Sequence, residues 1–296
     1  KAVDGWFGGV DFAAVTPRMV RAYRDYLASR LLAGTVNEYL FVVRSAFRFA
    51  LGEGWIVDNP AREVTAAASI AGRPLGGRPR LDASVVQAVP ALVRPSFRVA
   101  YWCQLLTGLR RGEVFGLQVG DLDFSGHVVH IRRQLGKGHR VGNLITYLKG
   151  MPKGGKPRTA ALPSALESVL RQHLADSGKT GDPAAFLFDL PGDSYRPYVV
   201  EVRNALFELG VRSDNGMPVG SHNLRREYVN ILVEFSGRGA LASRATGHEV
   251  TDAGTPTRNH KMLSPGEVRL IRKHMDKYVR KTLGGTLNLN GPETSP

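Results

Sequence analysis

Two short stretches of the sequence carry side chains of the kind that hold phosphate groups. In "TGLRRGEVFGL", Arg110 follows a turn at Gly108, and Glu113 lies three residues on, near enough to orient the guanidinium through a charge-assisted hydrogen bond. In "SHNLRREYVN", His222 and Arg225 are three residues apart and share one face of a predicted helix. Because a guanidinium binds phosphate oxygens in bidentate fashion, the two arginines suggest a phosphate site.

A third stretch, "PKGGKPRTAALP", lies between these two in the chain. It places Lys153 at the tip of a predicted hairpin, where a flexible ammonium can reach into a cleft, and Lys156 and Arg158 follow closely. Each stretch alone also has a plain interpretation: a surface ion pair, a solvated lysine, and a common HxxR spacing.

The composition agrees with a polyanionic partner. The 296 residues include 40 Lys and Arg against 26 Asp and Glu, which gives a net charge of +14 and a pI of about 10.2. Phosphate neutralisation supplies much of the free energy of nucleic-acid binding, so a polyanionic partner such as a nucleic acid is the first hypothesis. A basic surface without a specific ligand is the alternative that charge alone leaves open.

The cysteine count and the hydropathy restrict the cellular setting. Cys103 is the only cysteine, which excludes an intramolecular disulfide and a cysteine-based zinc site and favours a reducing cytoplasm, or the nucleoid within it. No apolar run approaches the roughly 18 residues that span a bilayer, and the first residues do not resemble a signal peptide, so no membrane partner is expected.

The N-terminal part predicts a helical, basic domain over residues 1–63. Thr16 caps a helix with Pro17 in its first turn, and Arg18 and Arg21 lie largely off its apolar face. A second helix is predicted to begin with a capping box and to end near Gly52. That box consists of Thr35 and Glu38, and Arg44 and Arg48 lie four apart on one face of the helix.

Residues 64–80 have the small residues, glycines and prolines of an interdomain linker. Residues 81–296 then predict a mainly helical domain that carries one small antiparallel sheet, with strands at "HVVHIRRQ", "NLITYL" and "RTAALP". Its last helix is capped by Ser264 and Glu267 and presents a stripe of apolar side chains. The stripe consists of Val268, Ile271, Met275 and Tyr278.

The order of the motifs is more specific than any one of them. "TGLR", "PKGGK", "HNLR" and "RATGH" follow one another as in the tyrosine recombinase (phage integrase) family, which this sequence resembles. The N-terminal stretch "TVNEYLFVVRSAFRFALGEGWIVDNPA" resembles the core-binding domain of that family. The resemblance, from about Phe7 to Tyr278, implies a helical core-binding domain and an α+β catalytic domain of the DNA breaking-rejoining type, which clamp duplex DNA between them.

The resemblance also implies roles for individual residues. Arg110, Lys153, His222, Arg225 and His248 are the catalytic set that it assigns, with Glu113 holding Arg110 and with neither metal nor nucleotide cofactor. In this assignment Lys153 protonates the departing 5′ oxygen, and the two histidines donate hydrogen bonds or move a proton. Further basic residues are predicted to contact DNA. These are Arg18, Arg21, Arg44 and Arg48 on the N-terminal helices, and Lys156 and Arg158 beside the hairpin lysine.

The nucleophilic tyrosine of the family is missing from its expected place. The ninth position after His248 is Thr257, and alignment on "LSP" puts His260 in the tyrosine position. Tyr278 is a packing residue by its helical spacing but is also a candidate for a displaced nucleophile. His260 is a second candidate, because imidazole forms covalent intermediates. The third interpretation is loss of strand cleavage with DNA binding retained.

Two hypotheses therefore follow from the resemblance. One is a site-specific recombinase or integrase that cleaves and rejoins strands through a 3′-phosphoprotein, as a tetramer assembled through the C-terminal helix. The other is a non-cleaving paralogue that occupies recombination sites. A type IB topoisomerase relative is a more distant alternative, against which the small helical N-terminal domain argues.

Overall fold

A computed structural model describes residues 4–65, 79–140, 143–149, 157–190, 194–214, 216–247 and 262–289. The chain forms two compact units, Lys1–Leu75 and Gly76–Pro296, and the boundary between them falls inside the segment predicted as a linker. Among the described residues, no helix has both the length and the apolar character needed to cross a membrane.

The first unit is helical. It contains α1 (Asp4–Phe7), α2 (Pro17–Ala28) and α3 (Ala33–Gly52), with a short 3₁₀ turn at Phe12–Ala14. The predicted cap of α2 is confirmed, since the Thr16 hydroxyl accepts from Met19 N at 3.3 Å. The core lies mainly between α2 and α3 and is made of buried apolar side chains. They are Val15, Val20, Tyr23, Leu27, Val36, Leu40, Val43, Phe47, Ala50, Ile56, Ala61 and Val64.

The predicted start of α3 is wrong by three residues. The helix begins at Ala33 with Leu32 as its cap residue, so Thr35 and Glu38 lie inside the first turns rather than at the cap. The end at Gly52 agrees with the prediction. The capping-box pattern gave the wrong start because a helix can also begin at a residue whose side chain makes no capping bond.

The second unit is mainly helical, and its described residues form two small antiparallel sheets where one was predicted. Its helices pack around one apolar core, with α9 against α5, α10 and α11. The described helices are α4 (Ala83–Leu92), α5 (Pro95–Thr107), α6 (Arg111–Val114), α7 (Ser164–Ser177), α8 (Arg196–Glu208), α9 (His222–Ser236), α10 (Gly239–Thr246) and α11 (Pro265–Thr282), with a 3₁₀ turn at Val119–Asp121. Mainly helical secondary structure with a little antiparallel sheet confirms the predicted fold class.

The described strands form two antiparallel sheets. One has the order β1-β2-β5, in which Ile131 pairs with Arg158, and the other is the β3-β4 hairpin. β4 and β5, the described strands on either side of Lys153 in the sequence, therefore belong to different sheets. The strands are β1 (Leu122–Asp123), β2 (Val128–Ile131), β3 (Gln134–Arg140), β4 (Asn143–Lys149) and β5 (Arg158–Ala161).

The C-terminal helix packs onto its own unit. Its capping box is confirmed, because Ser264 accepts from Glu267 N at 3.3 Å and Glu267 accepts from Ser264 N at 2.8 Å. The whole predicted stripe, together with Val279, is buried in the core of the second unit. The stripe is therefore covered within this chain, and the predicted assembly through the C-terminal helix stays a prediction.

Candidate phosphate site

Arg110 is held by Glu113 at the start of α6. The Glu113 carboxylate accepts from Arg110 N at 2.7 Å through Oε2 and from Arg110 Nη1 at 3.0 Å through Oε1. Glu113 is fully buried, whereas 28% of the Arg110 side chain remains exposed. The predicted orientation of Arg110 by Glu113 is thus present, and the guanidinium keeps a face open to a ligand.

Arg158 is the second arginine on the same carboxylate. Its Nη2 donates to Glu113 Oε2 at 2.7 Å, and its Nη1 donates to the carbonyl of Ala245 at 3.4 Å. The residue is only 3% exposed. This burial does not fit the direct DNA contact predicted for Arg158, because its donors are turned into the protein.

Arg225 completes the group from the first turn of α9. It is 2% exposed, and its guanidinium donates to two backbone carbonyls, those of Gly108 and Thr246, both at 2.5 Å. These carbonyls belong to the "TGLR" and "RATGH" stretches, so one side chain joins two motifs that lie far apart in the sequence. We call Arg110, Arg158 and Arg225, gathered around Glu113, the arginine cluster.

The arginine cluster has an excess of positive charge. Burial first, and then the charges of Arg158 and Arg110, lower the pKa of the Arg225 guanidinium to about 9. Burial alone would raise the pKa of Glu113, but the charge of Arg158 and the Arg110 backbone N–H and charge outweigh it and hold that pKa below its usual range. Three cations around one carboxylate create a positive potential that an anion would relieve.

The turn that presents Arg110 depends on Gly108 and Tyr228. Gly108 ends α5 with φ of 65°, and a Cβ built there would lie 2.3 Å from Tyr228 Cδ1. Tyr228 is fully buried, and its hydroxyl has no hydrogen-bond partner among the described residues. Glycine is thus required at position 108 for two reasons, the left-handed backbone and the close approach of the Tyr228 ring.

Tyr278 lies elsewhere in the unit. Its ring packs edge-on against Phe235 with centroids 5.7 Å apart, and the residue is 5% exposed. Burial first raises the pKa of its hydroxyl, and the nearby charges that act on it are Glu227, Arg80 and Glu234. Its charged surroundings are therefore different from those of Tyr228, on which Arg158 and Arg225 act.

The remaining predicted catalytic residues are only partly described. His222 is the first residue of α9 and is exposed, one turn before Arg225. Ser221 is the cap residue of this helix, but its buried hydroxyl makes no capping bond. Lys153, Lys156, His248 and His260 lie outside the described residues.

The four arginines predicted to bind DNA in the first unit divide into two kinds. Arg18, Arg21 and Arg48 are exposed. Arg44 is half-buried and donates to the backbone carbonyls of Ala61 and Val64, which fixes the chain after α3. The structure thus gives Arg44 an intramolecular role that its spacing to Arg48 did not indicate.

Comparison with known proteins decides the family. The sequence profile of the phage integrase family matches residues 94–252, more than half of the chain. The chain belongs to the phage integrase (tyrosine recombinase) family. The tyrosine recombinase XerD of Caulobacter vibrioides is 27% identical over 253 residues, which cover 81% of this chain and 75% of the relative.

Integrases of known structure share the fold of this chain. A lambda integrase dimer bound to a COC′ core site has a TM-score of 0.62 at 17% identity, with 88% of each chain covered. The Tn1549 transposon integrase in complex with transposon right end DNA gives 0.62 at 17% identity, with 82% of this chain and 80% of that chain covered. A lambda integrase tetramer on a Holliday junction gives 0.61 at 17%, with 87% and 71% covered.

Proposed function

We propose that this chain acts in site-specific DNA recombination, binding duplex DNA and holding one backbone phosphate at the arginine cluster. The observation that carries the proposal is the excess charge there: Arg110 keeps an exposed face, while buried Arg158 and Arg225 add positive potential behind it. Family membership supports the same substrate, and the DNA complexes of the similar integrases support assembly on DNA as a homo-oligomer.

The chemistry proposed at this site is phosphoryl transfer without a metal. An attacking group on the protein would form a bond to phosphorus as the 5′ oxygen departs, and Lys153 would protonate that oxygen. Arg110 would hold a non-bridging oxygen, and the positive potential of the cluster would stabilise the charge that builds up in the transition state. His222 and His248 would donate hydrogen bonds to the same phosphate.

A second candidate function is binding without cleavage, and the position of Tyr278 favours it. Tyr228 and Tyr278 are the tyrosines that follow His222 in the sequence, and both are buried in the core of the second unit. A phenol nucleophile must reach phosphorus in line with the leaving oxygen, which a ring packed in the core does not do. His260 then stands as the candidate attacking residue in the position that alignment on "LSP" assigns.

The first test concerns the phosphate site and does not require cleavage. Duplexes that bind the full chain are selected from a random pool, and the affinity of the selected duplex is measured across salt concentrations. Arg110→Ala should weaken binding about tenfold and lower the salt slope by about 1, as expected for one lost phosphate contact. Arg94→Ala is the control, because Arg94 pairs with Glu201 instead of Glu113. Equal affinities for Arg110→Ala and wild type would mean that the chain binds DNA only through a general basic surface, without a phosphate site at Arg110.

The second test separates the two candidate functions. The selected duplex is nicked at successive positions so that cleavage releases a short fragment and traps any covalent adduct, which is resolved on a denaturing gel. An adduct that persists in Tyr278→Phe and disappears in His260→Phe supports cleavage by His260. If the duplex is bound but no nick position gives an adduct, the chain is a non-cleaving member. Loss of the adduct in folded Tyr278→Phe would show that Tyr278 leaves its buried position to attack. Relaxation of supercoils without site preference would support the topoisomerase alternative.

A further inference from the structure

Arg158 occupies an unusual position for a strand arginine. It begins β5, where all four residues of the strand are buried, and it reaches Glu113 across 45 residues of sequence. Its Nη2 and Nη1 have partners, whereas its buried Nε has none among the described residues. A guanidinium is expensive to bury, so a position like this one needs a carboxylate partner.

The Glu113 carboxylate is anchored from two sides. Arg110 takes Oε1 through its guanidinium and Oε2 through its backbone N–H, while Arg158 takes Oε2 from the interior. A carboxylate held by Arg110 alone would follow the movements of that exposed side chain. The buried bond to Arg158 fixes its plane, and a fixed carboxylate in turn fixes the direction of the Arg110 guanidinium.

Arg158 also touches the end of α10. Gly247 ends that helix with φ of 68°, and a Cβ built on it would lie 2.8 Å from Arg158 Cδ and 3.4 Å from Nε. The Arg158 Nη1 donates to Ala245 O in the same turn. The arginine therefore fills the space that the missing side chain of the "RATGH" glycine leaves open.

We infer that Arg158 is a positioning residue of the phosphate site, which fixes Glu113 and through it Arg110, and which ties both to the end of α10. The inference rests on the proposed function and extends it to a residue outside the set that the family resemblance assigns. Arg158 acts without touching DNA, because its side chain is enclosed. Its contribution is therefore the geometry of Arg110 and not a phosphate contact of its own.

The charges give this role a measurable signature. With Arg158 replaced by an apolar residue, Glu113 stays buried and still faces Arg110 and Arg225 but loses its strongest cationic partner, so the pKa of its carboxyl rises. Protonation then removes acceptor capacity from the pair with Arg110, and DNA binding should acquire a dependence on pH below neutrality. A purely structural loss would lower the unfolding temperature without adding such a dependence.

The test uses the full chain and the selected duplex of the binding experiment above. Affinity is measured from pH 8 to pH 5 for wild type, Arg158→Met, Glu113→Gln and the double variant. Arg158→Met should bind about tenfold more weakly, the order expected when a misdirected Arg110 loses one charge-assisted hydrogen bond to phosphate, and should weaken further toward pH 5. The double variant has no carboxylate at this position, so the added pH dependence should be absent. The salt slope should stay at the wild-type value in every variant that leaves the Arg110 side chain in place.

Two pairs of variants distinguish the positioning role of Arg158 from general destabilisation of the fold. Arg272→Met removes another partly buried arginine, which pairs with Glu167 at 3.1 Å, and should bind as wild type. Gly247→Ala should behave like Arg158→Met because its Cβ displaces Arg158, whereas Gly237→Ala, with the same φ of 68° and nothing within 4 Å, should not.

Each outcome decides the inference. Wild-type affinity and pH profile in Arg158→Met would overturn it, as would a salt slope lowered by one contact, which would mean that Arg158 holds phosphate itself. If Arg158→Met does not fold by circular dichroism, Arg158→Gln, which keeps an N–H donor for Glu113 but no charge, is measured under the same criteria. If Arg110→Ala binds the duplex as tightly as wild type, the proposed function is refuted instead, so the two failures remain distinct.

Discussion

Replacing Gly108 by alanine should destabilise the second unit by two separate mechanisms. The backbone there has φ of 65°, and the new Cβ would lie 2.3 Å from Cδ1 of the buried Tyr228 ring. A left-handed conformation costs an L-residue roughly 1–2 kcal/mol. Overpacking a well-filled core costs roughly 1–3 kcal/mol more. We therefore expect Gly108→Ala to lower the free energy of unfolding by about 2–5 kcal/mol.

A matched control isolates the second mechanism. Gly178 ends α7 with φ of 66°, almost the same backbone conformation, but a Cβ there would have nothing within 4 Å. Gly178→Ala should therefore cost only the backbone part, roughly 1–2 kcal/mol. The difference between the two variants measures the closeness of Tyr228 to the "TGLR" turn.

Urea unfolding followed by tryptophan fluorescence is a suitable assay. The chain has three tryptophans, and Trp102 is the one in the second unit, so a background with Trp6→Phe and Trp55→Phe reports that unit alone. This restriction matters because a chain of two units need not unfold in one step. Equal losses for Gly108→Ala and Gly178→Ala, within about 0.5 kcal/mol, would refute the reasoning about Tyr228.

Three further predictions concern groups outside the arginine cluster. The hydrogen bond from Arg244 lowers the pKa of Glu267 to about 2, below the value of about 4.3 in unfolded chains, so this pair stabilises the fold above about pH 5 and is lost as the pH falls toward 2. Arg244→Met should therefore reduce the loss of stability over that range, measured as urea midpoints between pH 2 and pH 6. Burial raises the pKa of the Cys103 thiol to about 12, so iodoacetamide at pH 8 should modify it in urea but not in the native chain. Tyr278→Phe keeps the ring contact with Phe235 and should cost less than about 1 kcal/mol, against about 3–5 kcal/mol for Tyr278→Ala, by the same urea assay. A cost for Tyr278→Phe close to that for Tyr278→Ala would mean that the hydroxyl, and not the ring, stabilises α11.

Local patterns in the sequence predicted most helices well because their signals are local. Thr16 with Pro17 and Ser264 with Glu267 mark the starts of α2 and α11, since a capping side chain and its backbone partners lie within one turn. The same reasoning gave the turn at Gly108. It did not reveal Tyr228 as the reason that only glycine fits there, because the ring comes from a helix more than a hundred residues later.

The site residues show the same difference between contacts that are local in the sequence and contacts that only the fold creates. Arg110 and Glu113 are three residues apart, so their bond is a local property that the spacing predicted. The sequence predicts DNA contact for Arg158, and only the fold brings the buried Glu113 to it. The signal available in the sequence is that Glu113 directly precedes the apolar run "VFGL", because a carboxylate that becomes buried needs cationic partners.

The two halves of a strand-cleaving site have different structural requirements, which explains why one is evident here and the other is not. Phosphate binding needs fixed cations, and Arg225 is fixed by two carbonyls while Arg110 is fixed by Glu113. A nucleophile must instead approach phosphorus from outside the core, and Tyr228 and Tyr278 are both committed to packing inside it. Since freeing either ring would give up the apolar burial of an aromatic side chain, a free-energy cost of several kcal/mol opposes a tyrosine attack from these positions. The arginine cluster can therefore hold DNA whether or not His260 attacks it.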